Sequence, residues 1–292
     1  MKKNYQTKIK IDKKRQIEEI NTTTIVRNLG THSRRILFGH ATLGVVRYEW
    51  HAARIGLVIP INWANTDIVV HCQPNSMVAL GYQVADAQNV IIENALNGNY
   101  EYCLLYEDDV LPPMNALLIL SEYLDKAEVP IVSGLYFSRG NPTWPLVFRG
   151  RGNGAFYDFQ FGEKLWVDGV PTGFVIIHRS ILQYLWDNSP EYAMPDGQKL
   201  HRVFEFPRKS WYDPEQNRYF SEMGTSDLAL CNRIMKDEIF KKTGWTQFAK
   251  KKYPFLVDTR IFCRHIDLKT GIIYPDQCPA ILMKAGQKLP NR

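Results

Sequence analysis

The hydrophobic pattern changes character near residue 34. Residues 1–33 are polar and charged with weak periodicity, which predicts an extension without a core of its own. Beyond it, short apolar runs alternate with helically spaced apolar positions. Ile36-Leu37-Phe38 predicts a strand that runs into a glycine-containing loop, Gly39 to Gly44, followed by a helix over residues 47–55. An extended segment is expected near residues 68–72. Val84, Ala87, Val90, Ile91, Asn94 and Ala95 recur at helical spacing, and Asn97-Gly98-Asn99 ends that helix as a C-cap would. Tyr102-Cys103-Leu104-Leu105-Tyr106 is a nearly continuous apolar run, the pattern of a strand buried on both faces. It stops at Glu107-Asp108-Asp109. Pro112 and Pro113 then open a helix that runs to about Lys126, and residues 130–137 read as the next strand.

From Arg139 to Gly169 the pattern becomes glycine, aromatic and short polar turns, as in hairpins. A strand over residues 173–178 and a helix over residues 179–186 follow. Residues 187–222, rich in Pro, aromatic and charged residues, predict a long active-site loop or flap, and a helix is expected from Ser226 to Lys236. The alternation defines an α/β class: a single domain over residues 34–292 with a central, mostly parallel mixed sheet flanked by helices and a smaller β/loop region.

The chain has 292 residues, 45% hydrophobic and 23% charged, enough for one sizeable core. No apolar run approaches the roughly 20 residues of a membrane span, and no apolar stretch follows Lys2 and Lys3, so a cytoplasmic protein with no membrane span is expected. The five cysteines, Cys72, Cys103, Cys231, Cys263 and Cys278, form no C-x-x-C pair and are expected as reduced thiols. The net charge of +6 is concentrated at the start, where residues 1–35 hold ten Lys and Arg against three acids. A second cluster, Lys236, Lys241, Lys242, Lys250, Lys251 and Lys252, is either a solvated face or a surface for an anionic partner.

Three consecutive acids at the carboxyl end of a buried strand crowd one another and lose hydration, which calls for a compensating partner. Ligands of open α/β sheets bind beyond the carboxyl ends of the strands. Hard oxygen donors there suit Mg²⁺ or Mn²⁺, held by one or two carboxylates together with substrate phosphates. The alternative is a set of N-terminal acids ahead of the helix that Pro112 opens.

Tyr102 to Pro113, YCLLYEDDVLPP, resembles the strand and D-x-D motif of GT-A glycosyltransferases of the family 2 kind, with Glu107 and Asp109 in the two acidic places. The resemblance covers roughly residues 36–270. It implies a nucleotide-sugar half, residues 34–135, and an acceptor half, residues 136–292. Glu107 and Asp108 would face the donor, and Asp109, with Glu107, would bind the metal. Helix 84–96 is similar to the helix that flanks the donor in this family, which implicates Gln88 and Asn89. His40, Thr42 and Gly44, in the segment after the first strand, would lie at the nucleotide. Asp168 to Phe174 resembles the family's Gly-Phe strand, where Gly173 would allow close approach of the donor and Phe174 would face the acceptor. Gly224 to Arg233 resembles the helix start that carries the catalytic base of inverting members, which places Asp227 in that role. His265 resembles the late histidine that completes the metal site. Trp144 and Trp211 are aromatic candidates for the acceptor.

The implied activity is metal-dependent transfer of a sugar from a nucleotide sugar, a UDP-sugar first, to an acceptor hydroxyl, with Mn²⁺ or Mg²⁺ as cofactor. A glycan, a protein or a modified nucleic acid each fits the acceptor role. A metal-dependent nucleotidyltransferase and a non-catalytic binding module of the same fold stand as alternatives.

Overall fold

The buried run that ends at Tyr106 is the centre of the molecule. In the computed structural model, which describes residues 34–59, 77–124, 126–150 and 155–279, all seven residues of that strand are buried. The chain enters through β1 (Arg34–Thr42), α1 (Tyr48–Ile55), β2 (Met77–Leu80), α2 (Val84–Asn97) and β3 (Tyr100–Tyr106). Then come β4 (Val110–Leu111), α3 (Ala116–Leu124), β5 (Ile131–Leu135), β6 (Lys164–Val167), β7 (Phe174–His178) and α4 (Arg179–Asp187). Two hairpins follow, β8 (Glu191–Ala193) with β9 (Lys199–His201) and β10 (Arg208–Asp213) with β11 (Arg218–Met223). The chain continues through α5 (Ser226–Lys236), the single turns α6 (Ile239–Lys242) and α7 (Thr246–Ala249), β12 (Phe255–Phe262), β13 (Arg264–Ile266), β14 (Ile272–Tyr274) and β15 (Cys278–Pro279).

Seven strands form one mixed sheet in the order β2-β1-β3-β7-β5-β12-β6. β1, β2 and β3 are mutually parallel, as are β5 and β12, while β7 runs antiparallel to both β3 and β5 and β6 runs antiparallel to β12. Strands from either side of residue 135 therefore interleave in a single sheet. After β1 the chain adds β2 on one side and β3 on the other, so the order reverses at β1. The carboxyl ends of β1 and β3 thus flank a topological switch point, where an open sheet leaves a crevice for a ligand. Helix α2 packs closely over β1 because Gly39 has no Cβ: one built there would run into the Ile91 side chain.

Two sequence expectations are corrected. Residues 39–42 are not a loop but the end of β1, and the expected flap over residues 187–222 consists largely of the two hairpins. Each hairpin pairs strands that follow directly in sequence, from Ala193 with Lys199 out to Arg208 with Met223, a local pattern hidden by the prolines among them. The expected strand at residues 68–72 and the extension over residues 1–33 lie outside the described residues. No helix among the described residues is long and apolar enough to cross a membrane.

A second, four-stranded sheet, β15-β14-β13-β4, controls the site. β4 begins directly after the acids, and β13 pairs with it antiparallel, setting His265 opposite Val110. This register brings a residue from the far end of the chain beside Asp109.

Candidate functional site

The backbone of Glu107-Asp108-Asp109 is held from three sides. Glu107 N–H donates to Gly173 O at 2.9 Å, Trp50 Nε1–H donates to Glu107 O at 2.8 Å, and Ile266 N–H donates to Asp109 O at 2.8 Å. The acids therefore project from a rigid segment at the carboxyl end of β3. Glu107 and Asp109 line a cleft of about 330 Å³ whose walls also include Arg139, Asp227 and His265.

At its centre, His265 Nε2 lies 3.1 Å from Asp109 Oδ2, and Arg139 Nη1 lies 2.9 Å from the same oxygen. His265 Nδ1 is 2.9 Å from the carbonyl oxygen of Phe137, which can only accept, so this nitrogen carries the proton. A neutral ring then turns an Nε2 lone pair on Asp109 Oδ2. A proton between the two groups, on the ring or on the carboxyl, or a shared cation reconciles them. Two donors about 2.1 Å from one octahedral ion lie about 3.0 Å apart, close to the observed separation. A histidine that gives its other N–H to a backbone carbonyl also has the support usual for a metal ligand. Asp109 Oδ1 is buried with no hydrogen-bond partner among the described residues. An orphaned carboxylate oxygen of this kind fits a cation site.

The electrostatics follow the geometry. Burial pushes the Asp109 carboxyl up, but the His265 ring and the Arg139 guanidinium outweigh it and hold the group below the ordinary carboxylate range. Glu107 is raised to about 8, first by burial and then by the charges of Asp109, Asp227 and Asp108. Asp108 is raised by burial, with its hydrogen bond to Thr42 opposing the shift. Among the described residues no set of three or more His, Cys, Asp or Glu side chains converges as metal ligands. Glu107, expected as a ligand, does not complete such a set with Asp109 and His265, and a bound cation would draw its remaining ligands from substrate and water.

The residues expected at the nucleotide divide into two groups. Thr42 accepts a hydrogen bond from Gly44 N–H at 3.1 Å in a turn where Gly44 takes φ +100°, and it also bonds Asp108, so this pair bridges the β1/β3 crevice. His40, by contrast, is buried within β1, where it packs against the Trp50 and Tyr106 rings with Nδ1 3.0 Å from Tyr106 O. It is an interior residue and not a ligand contact.

Gln88 and Asn89 are also buried, and their partners are protein groups. Gln88 Nε2–H donates to Thr172 Oγ1 at 2.9 Å and Gln88 Oε1 accepts from Ser226 Oγ at 3.2 Å. Asn89 clamps the Phe204 backbone in both directions, with Nδ2–H donating to Phe204 O at 3.0 Å and Oδ1 accepting from Phe204 N–H at 2.8 Å. Both side chains position the cleft wall and do not reach into it.

Gly173 requires its missing side chain for a reason other than the one expected. A Cβ there would lie 2.6 Å from Tyr136 Oη and 2.8 Å from Val110, so the close approach is made by the protein itself. Phe174 is fully buried against Tyr106 and offers no surface to an acceptor. Trp144 and Trp211 are exposed. Trp144 closes the neck of the loop that carries Arg139, through Ser138 N–H to Trp144 O at 2.8 Å, and Trp211 lies on the β10–β11 hairpin.

Asp227 lines the cleft in the first turn of α5. The N-cap is Thr225, which makes no side-chain capping bond, and Asp227 Oδ1 accepts the N–H of Leu228 at 2.8 Å. Its other carboxylate oxygen makes no capping bond among the described residues. Sequence reading missed Arg139, the cation of this cluster. In the sequence it stands 4 residues past the end of β5, and only the packing of the chain brings it to Asp109.

No family model matches the chain, and no curated protein matches it. Among solved structures it is similar to A197 from STIV, at 14% identity and a TM-score of 0.46, over 88% of this chain and 98% of that one. A likeness of this degree carries no functional argument, and the chemistry rests on the residues of the cleft.

Proposed function

We propose that this chain is a metal-dependent glycosyltransferase of the GT-A type that moves a sugar from a nucleotide sugar, a UDP-sugar in the simplest case, to an acceptor hydroxyl. One observation carries the reading: Asp109 Oδ2 and His265 Nε2, 3.1 Å apart, face a cleft at the carboxyl ends of parallel strands that also contains Asp227. Asp109 and His265 would hold Mn²⁺ or Mg²⁺. When bound, the ion supplies Lewis-acid stabilisation of the charge that develops on the leaving diphosphate.

Thr42 and Asp108 take the nucleoside end at the β1/β3 crevice. Asp227 accepts the proton of the acceptor hydroxyl as its oxygen attacks the anomeric carbon. The bond from that carbon to the diphosphate breaks on the opposite face, so the anomeric configuration inverts. Trp144 and Trp211 are the exposed aromatic surfaces available to an acceptor sugar.

The test is a panel of nucleotide sugars incubated with Mn²⁺ and followed for slow donor hydrolysis, which needs no acceptor. Metal-dependent release of a nucleoside diphosphate is expected. Release of pyrophosphate from nucleoside triphosphates instead would identify a nucleotidyltransferase, and binding without turnover a non-catalytic module.

A further inference from the structure

Arg139 shares a single oxygen, Asp109 Oδ2, with His265, and its side chain is 40% exposed against 13% for Asp109. Its charge also opposes the upward shift of Glu107 and Asp108 and adds to the lowering of Asp109 and of Asp267, just past β13. The loop that carries it is closed at the neck by Ser138 and Trp144, with Thr143 Oγ1–H donating to Ser138 O at 2.8 Å, so the backbone is held while the guanidinium reaches in from solvent.

From this geometry we infer that Arg139 is a stand-in cation: it neutralises Asp109 in the metal-free protein, gives up that oxygen to the divalent ion, and then turns its guanidinium to the donor diphosphate. The inference rests on the reading of Asp109 and His265 as metal ligands. The physical reason is competition for one carboxylate. A guanidinium at 2.9 Å and a divalent ion cannot both hold the Oδ2 lone pairs at full strength, and the guanidinium is the partly exposed, mobile group of the two. Once displaced it remains tethered at the mouth of the cleft, where a diphosphate presents the paired oxygens that its planar fork recognises. The arrangement keeps Asp109 compensated between turnovers, at the cost of weakened binding of the ion alone.

The experiment is calorimetric titration of the full chain with Mn²⁺ alone, and then with a nucleoside diphosphate at saturating Mn²⁺, for the parent, Arg139→Gln and Arg139→Lys. Arg139→Gln should bind Mn²⁺ about fivefold more tightly than the parent, because one of the two groups that compete for Asp109 Oδ2 is gone. It should bind the diphosphate about tenfold more weakly, because a charge-assisted fork is lost. Arg139→Lys, which keeps the charge, should restore Mn²⁺ affinity to the parent value. Melting curves for both variants establish that they fold. If Arg139→Gln binds Mn²⁺ no better than a parent that binds it well, Arg139 is a structural support for Asp109 and the inference fails while the metal reading stands. If the parent binds no Mn²⁺ with or without nucleoside diphosphate, the metal reading itself fails and takes the inference with it.

Discussion

Ser226 Oγ–H donates to Gln88 Oε1 at 3.2 Å, so the residue beside Asp227 on α5 is tied to the middle of α2 through a buried amide. The same Gln88 donates to Thr172 on the segment that enters β7. One side chain therefore joins three elements that converge on the cleft. Gln88→Leu should leave two buried hydroxyls without partners and destabilise the fold by about 1–3 kcal/mol. Because α5 loses its anchor, transfer to acceptor should fall more than metal-dependent nucleotide affinity does. Denaturant melts and paired binding and turnover assays measure both, and equal losses in the two would show that Gln88 serves only general stability.

Asp109→Asn removes the charge that compensates a divalent ion while keeping the shape of the side chain. Metal-dependent binding of a nucleoside diphosphate should be lost, and donor hydrolysis with it. The calorimetric signal with Mn²⁺ present but not with chelator is the readout. Unchanged metal-dependent affinity would sink the assignment of this acid.

Asp227 touches the acceptor proton in the proposed mechanism and not the diphosphate. Asp227→Asn preserves the bond to Leu228 N–H, so the variant should melt close to the parent. Transfer should drop about a hundredfold or more, in line with general-base contributions, with nucleotide affinity held. Full transfer activity in this variant would remove the inverting mechanism and direct attention to a reaction needing no side-chain base.

Glu107 gives a pH signature in the metal-free protein. Burial, reinforced by the neighbouring carboxylates, raises its folded-state value to about 8 from the ordinary 4.5, so the folded state binds the proton more tightly than the unfolded state. Stability from this group is fully present below the ordinary value and declines as pH rises toward 8. Glu107→Gln cannot ionise. With chelator present, its melting temperature should match the parent near pH 5 and exceed it by several degrees at pH 9. A gap independent of pH would show that Glu107 does not titrate in that window.

The strand that carries the acids was legible in the sequence because its burial is written locally: seven consecutive positions of β3 are buried, and the apolar run ends where the carboxylates start. The same holds for α2 and α5, whose periodicity or polar start marks them within a dozen residues. His40, Gln88, Asn89 and Phe174 were less legible as to role. A polar or aromatic residue near a strand end or on a helix reads the same whether it faces a ligand or a neighbouring element, and here each faces a neighbouring element.

The amino-acid sequence by itself determined the α/β alternation, the buried strand and the placing of three acids at its carboxyl end, since these depend on short-range periodicity and on the cost of burying charge. Only the tertiary structure decided that β7 and β6 run against the other strands, that Gly173 makes room for Tyr136 and Val110, and that His265 and Arg139 meet on one oxygen of Asp109. The last of these depends on the pairing of β13 with β4 and on a loop following β5, contacts between segments distant along the chain. Hydrophobic pattern selects which face of each element is buried, whereas the choice of partner for a buried charge is made by whichever group the packed elements carry within reach.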